Sequence, residues 1–264
     1  MSETRDICRK FRWLERGEGE PVVLLHGLMG RMDHWEAALD ALAGVCRPIA
    51  LSLPILEQDM PEASIEEVGR YVVRFLDALD IQRAVVGGNS LGGHVALEMA
   101  LSHPERVSGL ILTGSSGLFE RTFTRGVPHR PSEAYVRQKM EEIFFDSRLV
   151  TPEWVESVRR TVTTPASALR VLRFARAAKR HNIEGRLARI SAPALLVWGE
   201  DDRITPPEVA ERFQALLPDS SLIFLPCCGH APMLEQADAF NEAVADWLMD
   251  TRDRRGAAVA GAVR

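Results

Sequence analysis

The chain has little of what several classes of protein require. It has four cysteines in 264 residues, and aromatic side chains make up only 6% of it. The cysteines show no metal-ligand spacing, so we expect reduced thiols and no metal site; they are Cys8, Cys46, Cys227 and Cys228. No apolar run approaches the ~20 residues of a membrane helix, and the charged residues 1–10 do not form the apolar segment of a signal peptide. We therefore expect a cytoplasmic protein with no membrane partner.

Positive charge is not in surplus either. The chain has 32 Lys and Arg against 37 Asp and Glu, a formal net charge of -5. The chain has no surplus of positive charge to neutralise a phosphate backbone, so we expect no nucleic-acid partner. The length suits one large α/β domain with an insertion.

Short apolar runs alternate with amphipathic stretches along most of the chain. The pattern predicts strands over residues 11–16, 22–25, 47–53, 84–87, 107–113, 194–198 and 222–225. It predicts helices over residues 33–42, 64–79, 91–102, 206–217 and 238–248, the second opened by a capping box of Ser64 and Glu67. Such alternation predicts a mostly parallel sheet covered by helices on both faces.

The alternation stops between residues 116 and 189, where three helical stretches occur without a strand. We interpret residues 116–189 as a helical cap inserted into a core of residues 1–115 and 190–250. The Arg-, Gly- and Ala-rich residues 251–264 are expected to form a disordered tail.

The segment Gly88-Asn89-Ser90-Leu91-Gly92 fits the pattern G-x-S-x-G between a buried run and a helix. A serine on a tight strand-to-helix turn needs small neighbours, which the two glycines supply. Ser90 is therefore the candidate nucleophile. A serine hydroxyl needs a base to take its proton.

The base and its orienting acid are expected later in the chain. His230 follows a predicted strand, in Gly229-His230-Ala231-Pro232, and is the candidate general base. After the strand ending at Trp198, three carboxylates stand together in Glu200-Asp201-Asp202. We assign the orienting role to Asp202, with Asp201 as the alternative.

A tetrahedral oxyanion requires two N–H donors. Leu91 follows the nucleophile and supplies one. The second is expected from Leu28, because Gly27 lets the loop after the first buried run turn sharply. His26 is interpreted as a structural residue that holds this loop by hydrogen bonds.

Together these segments resemble the α/β-hydrolase superfamily over about residues 11–248. The resemblance also rests on Trp198-Gly199-Glu200-Asp201-Asp202 and on Glu235 after the Gly-His-Ala-Pro segment. It implies an α/β-hydrolase fold with an eight-stranded sheet, a helical cap, no cofactor, and a triad of Ser90, Asp202 and His230.

Within the superfamily the chain is similar to small carboxylesterases and to meta-cleavage product hydrolases, which cut a carbon–carbon bond. The elbow Gly88-Asn89-Ser90, the segment Cys228-Gly229-His230 and the cap segment 145–153 resemble the second group. That group often has an aromatic residue where this chain has Ala231, and it holds a substrate carboxylate with a cap arginine, for which Arg159 and Arg160 are candidates.

We therefore expect a serine hydrolase that cleaves a small or medium carboxylic ester. A carbon–carbon hydrolase acting on a vinylogous diketone acid is the alternative, and a non-catalytic ligand-binding protein is the third class. The expected partner is a small-molecule ester or diketone, and the sequence leaves a homodimer open. Cap aromatics are expected mostly to pack the cap onto the sheet; they are Phe119, Phe123, Phe144, Phe145, Trp154 and Phe174.

Overall fold

The computed structural model describes residues 11–56, 62–119, 132–161 and 164–262, without the side chains of residues 165 and 256–262. Its strands are β1 (Trp13–Glu15), β2 (Pro21–Leu25), β3 (Arg47–Leu51), β4 (Ala84–Asn89), β5 (Val107–Thr113), β6 (Ala194–Gly199) and β7 (Ser220–Leu225). They form one sheet in the order β1-β3-β2-β4-β5-β6-β7. Only β1 pairs antiparallel; all other neighbours are parallel. The predicted mostly parallel sheet is confirmed.

The expected count of eight strands is wrong for the residues described, which form seven. The antiparallel edge consists of the three residues of β1 alone. A turn that includes Gly17, at φ 59°, then leads the chain directly into β2. β1 pairs with β3 and not with β2, so the described sheet has a single antiparallel strand at this edge.

The helices are α1 (Glu36–Leu42), α2 (Ile65–Ala78), α3 (Leu91–Ser102), α4 (Glu133–Glu141), α5 (Pro152–Thr161), α6 (Pro165–Arg180), α7 (Pro207–Leu216), α8 (Pro232–Glu235) and α9 (Ala237–Ala262). Half of the predicted capping box forms at α2. The Ser64 hydroxyl accepts the N–H of Glu67 at 3.1 Å, whereas the Glu67 carboxylate accepts from Arg70 and Arg74 instead.

Two apolar layers enclose the sheet. On β2, Val23 and Leu25 face one layer while Val22 and Leu24 face the other. All four are at most 1% exposed, as expected for a parallel strand covered on both faces. Helix α3 is buried on every side from Leu91 to Ala100, so the helix after the candidate nucleophile is fixed at the centre of the molecule.

Helices α4, α5 and α6 lie between β5 and β6 in the chain. Of the cap aromatics, Phe144 and Phe174 are buried and Trp154 packs against the core, which supports their expected packing role. Phe119 and Phe145 are exposed. Phe123 lies outside the described residues.

The predicted disordered tail is corrected over residues 251–262, which continue helix α9. Arg254 pairs with Asp250 one turn earlier at 2.8 Å, and Arg255 pairs with Glu20 ahead of β2 at 2.7 Å. An alanine-rich segment with such pairs favours a helix over a coil. Residues 263 and 264 lie outside the described part. Within that part, no helix has both the length and the apolar character to cross a membrane.

The imidazole of His26 holds the loop that follows β2. Its Nε2 accepts the N–H of Leu53 at 2.9 Å, so Nδ1 carries the proton and donates to the Gly27 carbonyl at 2.8 Å. Burial lowers the pKa of His26 to about 4, although the hydrogen bond to Gly27 opposes this shift. A neutral imidazole therefore ties the end of β2 to the segment after β3, the structural role predicted from the sequence.

This arrangement predicts a stability that depends on pH. Between its folded pKa of about 4 and its unfolded pKa of 6.5, His26 binds a proton in the unfolded chain but not in the folded one. The free energy of unfolding should therefore fall as the pH falls through this window, by up to about 3 kcal/mol from this residue. Urea denaturation across the window should show a shallower fall for His26→Asn. His103→Asn, which replaces a partly exposed imidazole, is the matched control, and equal slopes for wild type and His26→Asn would contradict the prediction.

Candidate active site

Ser90 lies at the tight turn between β4 and α3. Its φ is 54°, a left-handed conformation that costs energy for a residue with a side chain. The turn closes only because Gly88 and Gly92 lack side chains: a Cβ on Gly88 would overlap the backbone of Gly92, and one on Gly92 would overlap the Leu25 carbonyl. The Ser90 N–H donates to the Thr113 carbonyl at 3.1 Å, which fixes the turn to β5.

His230 lies in the loop between β7 and α8, against this turn. The Asn89 side-chain amide donates to the His230 carbonyl at 2.8 Å and to the Thr113 carbonyl at 3.1 Å. The His230 ring lies over Gly114, where a Cβ would come within 2.8 Å of Nδ1. The residue before Ser90 and the end of β5 therefore hold the imidazole at the carboxyl edge of the sheet.

Asp202 lies in the loop after β6, and its carboxylate is fully buried. Oδ2 is 2.8 Å from His230 Nδ1 and accepts the Thr205 hydroxyl at 2.8 Å. Oδ1 accepts the N–H groups of Ile204 and Thr205 at 2.8 and 2.9 Å. The carboxylate thus has its partners within the loop and from the imidazole, as a buried charge requires.

Asp201, the alternative acid, makes a different contact. Its backbone N–H donates to the Cys228 carbonyl at 2.9 Å, and the residue is partly exposed. The structure therefore brings Asp202, and not Asp201, to His230.

The two segments expected to supply N–H donors flank Ser90. The loop after β2 forms a turn in which Gly30 N–H donates to the Gly27 carbonyl at 3.0 Å. Gly27 lies beside the serine side chain, because a Cβ built on it would be 3.4 Å from the Ser90 Cβ. Leu28, the expected donor, is the next residue along the chain. Leu91 is the first residue of α3, where N–H groups have no acceptor in the preceding turn of the helix.

Two residues of this site were missed by sequence reasoning. Thr205 supports Asp202, and its hydroxyl is also 3.3 Å from His230 Nδ1. Asn89 joins β4 to the His230 loop. The available signal for Asn89 was a polar side chain at the end of a fully buried strand, since a buried amide must find partners. Thr205 had no comparable signal.

The two buried cysteines, Cys46 and Cys228, do not provide a competing nucleophile. Cys46, Cys227 and Cys228 are free thiols. Burial raises the pKa of Cys46 to about 12 and also raises that of Cys228, next to the His230 loop. Both therefore stay protonated, and a thiol is a poor nucleophile compared with a thiolate. Among the described residues, no group of His, Cys, Asp or Glu is arranged to hold a metal ion.

Three arginines of the cap, Arg159, Arg160 and Arg170, are engaged with protein groups. Arg159 and Arg160 both bind the Glu156 carboxylate, at 2.6 and 2.9 Å. Arg170 donates to the Ile55 carbonyl at 2.8 Å and lies 5.9 Å above the Phe174 ring. Holding a substrate carboxylate would require Arg159 or Arg160 to share or leave Glu156.

Known proteins are similar to this chain in sequence and in architecture. The α/β hydrolase fold family matches residues 20–237. A 2-hydroxy-6-oxononadienedioate/2-hydroxy-6-oxononatrienedioate hydrolase of Comamonas testosteroni is 31% identical over 257 residues, 89% of each chain. An α/β hydrolase from the sediment metagenome of the Mar Chica lagoon is 33% identical, with a TM-score of 0.75 over 92% of this chain and 96% of that one. An esterase of Thermogutta terrifontis is 25% identical, with a TM-score of 0.74 over 91% and 93% of the two chains. The chain belongs to the α/β hydrolase fold family.

Proposed function

We propose that this chain is a serine hydrolase that cleaves a small or medium carboxylic ester through an acyl-enzyme on Ser90. The observation that carries the proposal is the buried contact of 2.8 Å between His230 Nδ1 and Asp202, held by Asn89 next to the strained serine turn. Because Nδ1–H donates a hydrogen bond to the carboxylate, Nε2 is left as the acceptor that a general base requires.

In this mechanism His230 takes the proton of Ser90 as the hydroxyl oxygen attacks the ester carbonyl. The backbone N–H groups of Leu28 and Leu91 hold the oxyanion, where loss of one donor costs about 3 kcal/mol in known enzymes. His230 then gives its proton to the leaving alcohol. Water repeats the same steps on the acyl-enzyme and releases the acid.

A second candidate is a carbon–carbon hydrolase, favoured by the Comamonas relative, whose similarity extends over 89% of both chains. Two features of this chain argue for the ester instead. Ala231 stands where the carbon–carbon hydrolases often have an aromatic residue, and Arg159 and Arg160 are bound to Glu156. We therefore place the ester first.

Ser90→Ala should abolish turnover of a p-nitrophenyl ester, because it removes the nucleophile and leaves the turn unchanged. Thermal unfolding should show an intact fold. A fluorophosphonate probe should label the wild type and fail to label the variant. Wild-type rates in the purified variant would refute the assignment, and an unreactive wild type would favour a ligand-binding protein.

Asp202→Asn should lower kcat by about a thousandfold or more, because the amide no longer favours the Nδ1–H tautomer of His230 or stabilises the imidazolium. Asp201→Asn is the matched control, since it makes the same change one residue earlier in a side chain that does not contact His230. We expect its kcat to stay within about threefold of the wild type. Similar losses in both variants would contradict the role given to Asp202.

The substrate class can be decided by a panel of p-nitrophenyl esters of increasing acyl length, compared with a vinylogous diketone ring-fission product. We expect higher kcat/KM for a short or medium ester, because Arg159 and Arg160 are bound to Glu156. A preference for the diketone by tenfold or more would place the carbon–carbon hydrolase first.

A further inference from the structure

The carboxylate of Glu235, at the end of α8, lies between two segments that are distant in the sequence. Oε2 accepts the N–H of Gly229, the residue before His230, at 2.5 Å. Oε1 accepts the N–H of Asp146, in the cap segment between α4 and α5, at 2.7 Å. One side chain therefore connects the His230 loop to the cap.

The same cap segment also contacts the His230 loop directly. The His230 N–H donates to the Ile143 carbonyl at 2.7 Å. The backbones approach so closely that a Cβ on Gly229 would overlap the Ile143 carbonyl and lie 2.9 Å from the Phe145 nitrogen. Residues 143–146 thus pack directly against the His230 loop.

The carboxylate of Glu235 is engaged by two backbone groups, and the Cys228 thiol interacts with it as well. Within the described ranges it forms no ion pair with an arginine or lysine, and its two oxygens are divided between the two N–H groups. A surface carboxylate would be solvated or paired with a cation. Ionised acceptors make stronger hydrogen bonds than neutral ones, so this contact suits a fastening role.

We propose that Glu235 is a positioning residue: it fastens cap segment 143–146 to the His230 loop and thereby holds the imidazole at Asp202. The inference rests on the proposed function, because it gives Glu235 a role in positioning His230, the proposed general base. The backbone around the imidazole is then held at three points: Gly229 N–H by Glu235, His230 N–H by Ile143, and His230 carbonyl by Asn89. Opening the cap at this segment would break the contact of Ile143 with the His230 N–H and that of Asp146 with Glu235.

The test is Glu235→Gln, which keeps the size of the side chain. Its carboxamide oxygen can accept one N–H, but its NH₂ group then faces the other. With p-nitrophenyl acetate, and with sites counted by fluorophosphonate labelling, we expect kcat per labelled site to fall about tenfold or more, since small misplacements of a catalytic group are costly. KM should change less than kcat. A role confined to stability would lower the number of labelled sites and leave kcat per site unchanged.

Hydrogen exchange provides a second readout that does not depend on activity. The amides of Gly229 and Asp146 should exchange at least tenfold faster in Glu235→Gln than in the wild type. The matched control is Glu208→Gln, which changes an exposed glutamate in the first turn of α7. We expect it to keep wild-type kcat and exchange.

Two results would overturn the inference: a wild-type kcat per labelled site in Glu235→Gln, or unchanged exchange at both amides. Failure of the proposed function would appear separately, as wild-type activity in Ser90→Ala. In that case there is no catalytic base for Glu235 to position, and exchange at Gly229 and Asp146 would still report whether the fastening exists.

Discussion

The contact between His230 Nδ1 and the Asp202 carboxylate is the interaction on which the rest of the site depends. A neutral imidazole has one N–H, and the buried carboxylate 2.8 Å away determines which nitrogen carries it. The carboxylate is itself oriented by the N–H groups of Ile204 and Thr205 and by the Thr205 hydroxyl. The loop after β6 thus specifies the direction of the imidazole before any substrate is present.

The parallel sheet explains how residues so far apart in the sequence meet. The loops that carry Leu28, Ser90, Asp202 and His230 follow β2, β4, β6 and β7, and parallel strands bring their carboxyl ends to one edge. Asn89 completes this arrangement with a hydrogen bond that spans 141 positions of the chain. The site therefore needs the assembled sheet, because no single segment contains more than one of its reactive groups.

Rigidity at this edge is obtained from close backbone contacts. The contact with β5 and the close backbone packing at the surrounding glycines hold Ser90 at a strained φ. At the His230 loop, Gly229 allows the cap backbone to touch the loop, and Glu235 binds both. The cap backbone is therefore in direct contact with the His230 loop at this point.

Features that depend on neighbours along the chain could be predicted from the sequence. The bounds of β5 and α3 agree with their predicted ranges, because apolar periodicity and a nearby proline act locally. The serine turn could be identified for the same reason. Three outcomes became visible only in the folded chain: Asp202 rather than Asp201 reaches His230, Glu156 binds Arg159 and Arg160, and seven strands form the described sheet. Those outcomes depend on hydrogen bonds and packing between elements, whose geometry exists only once the chain has folded.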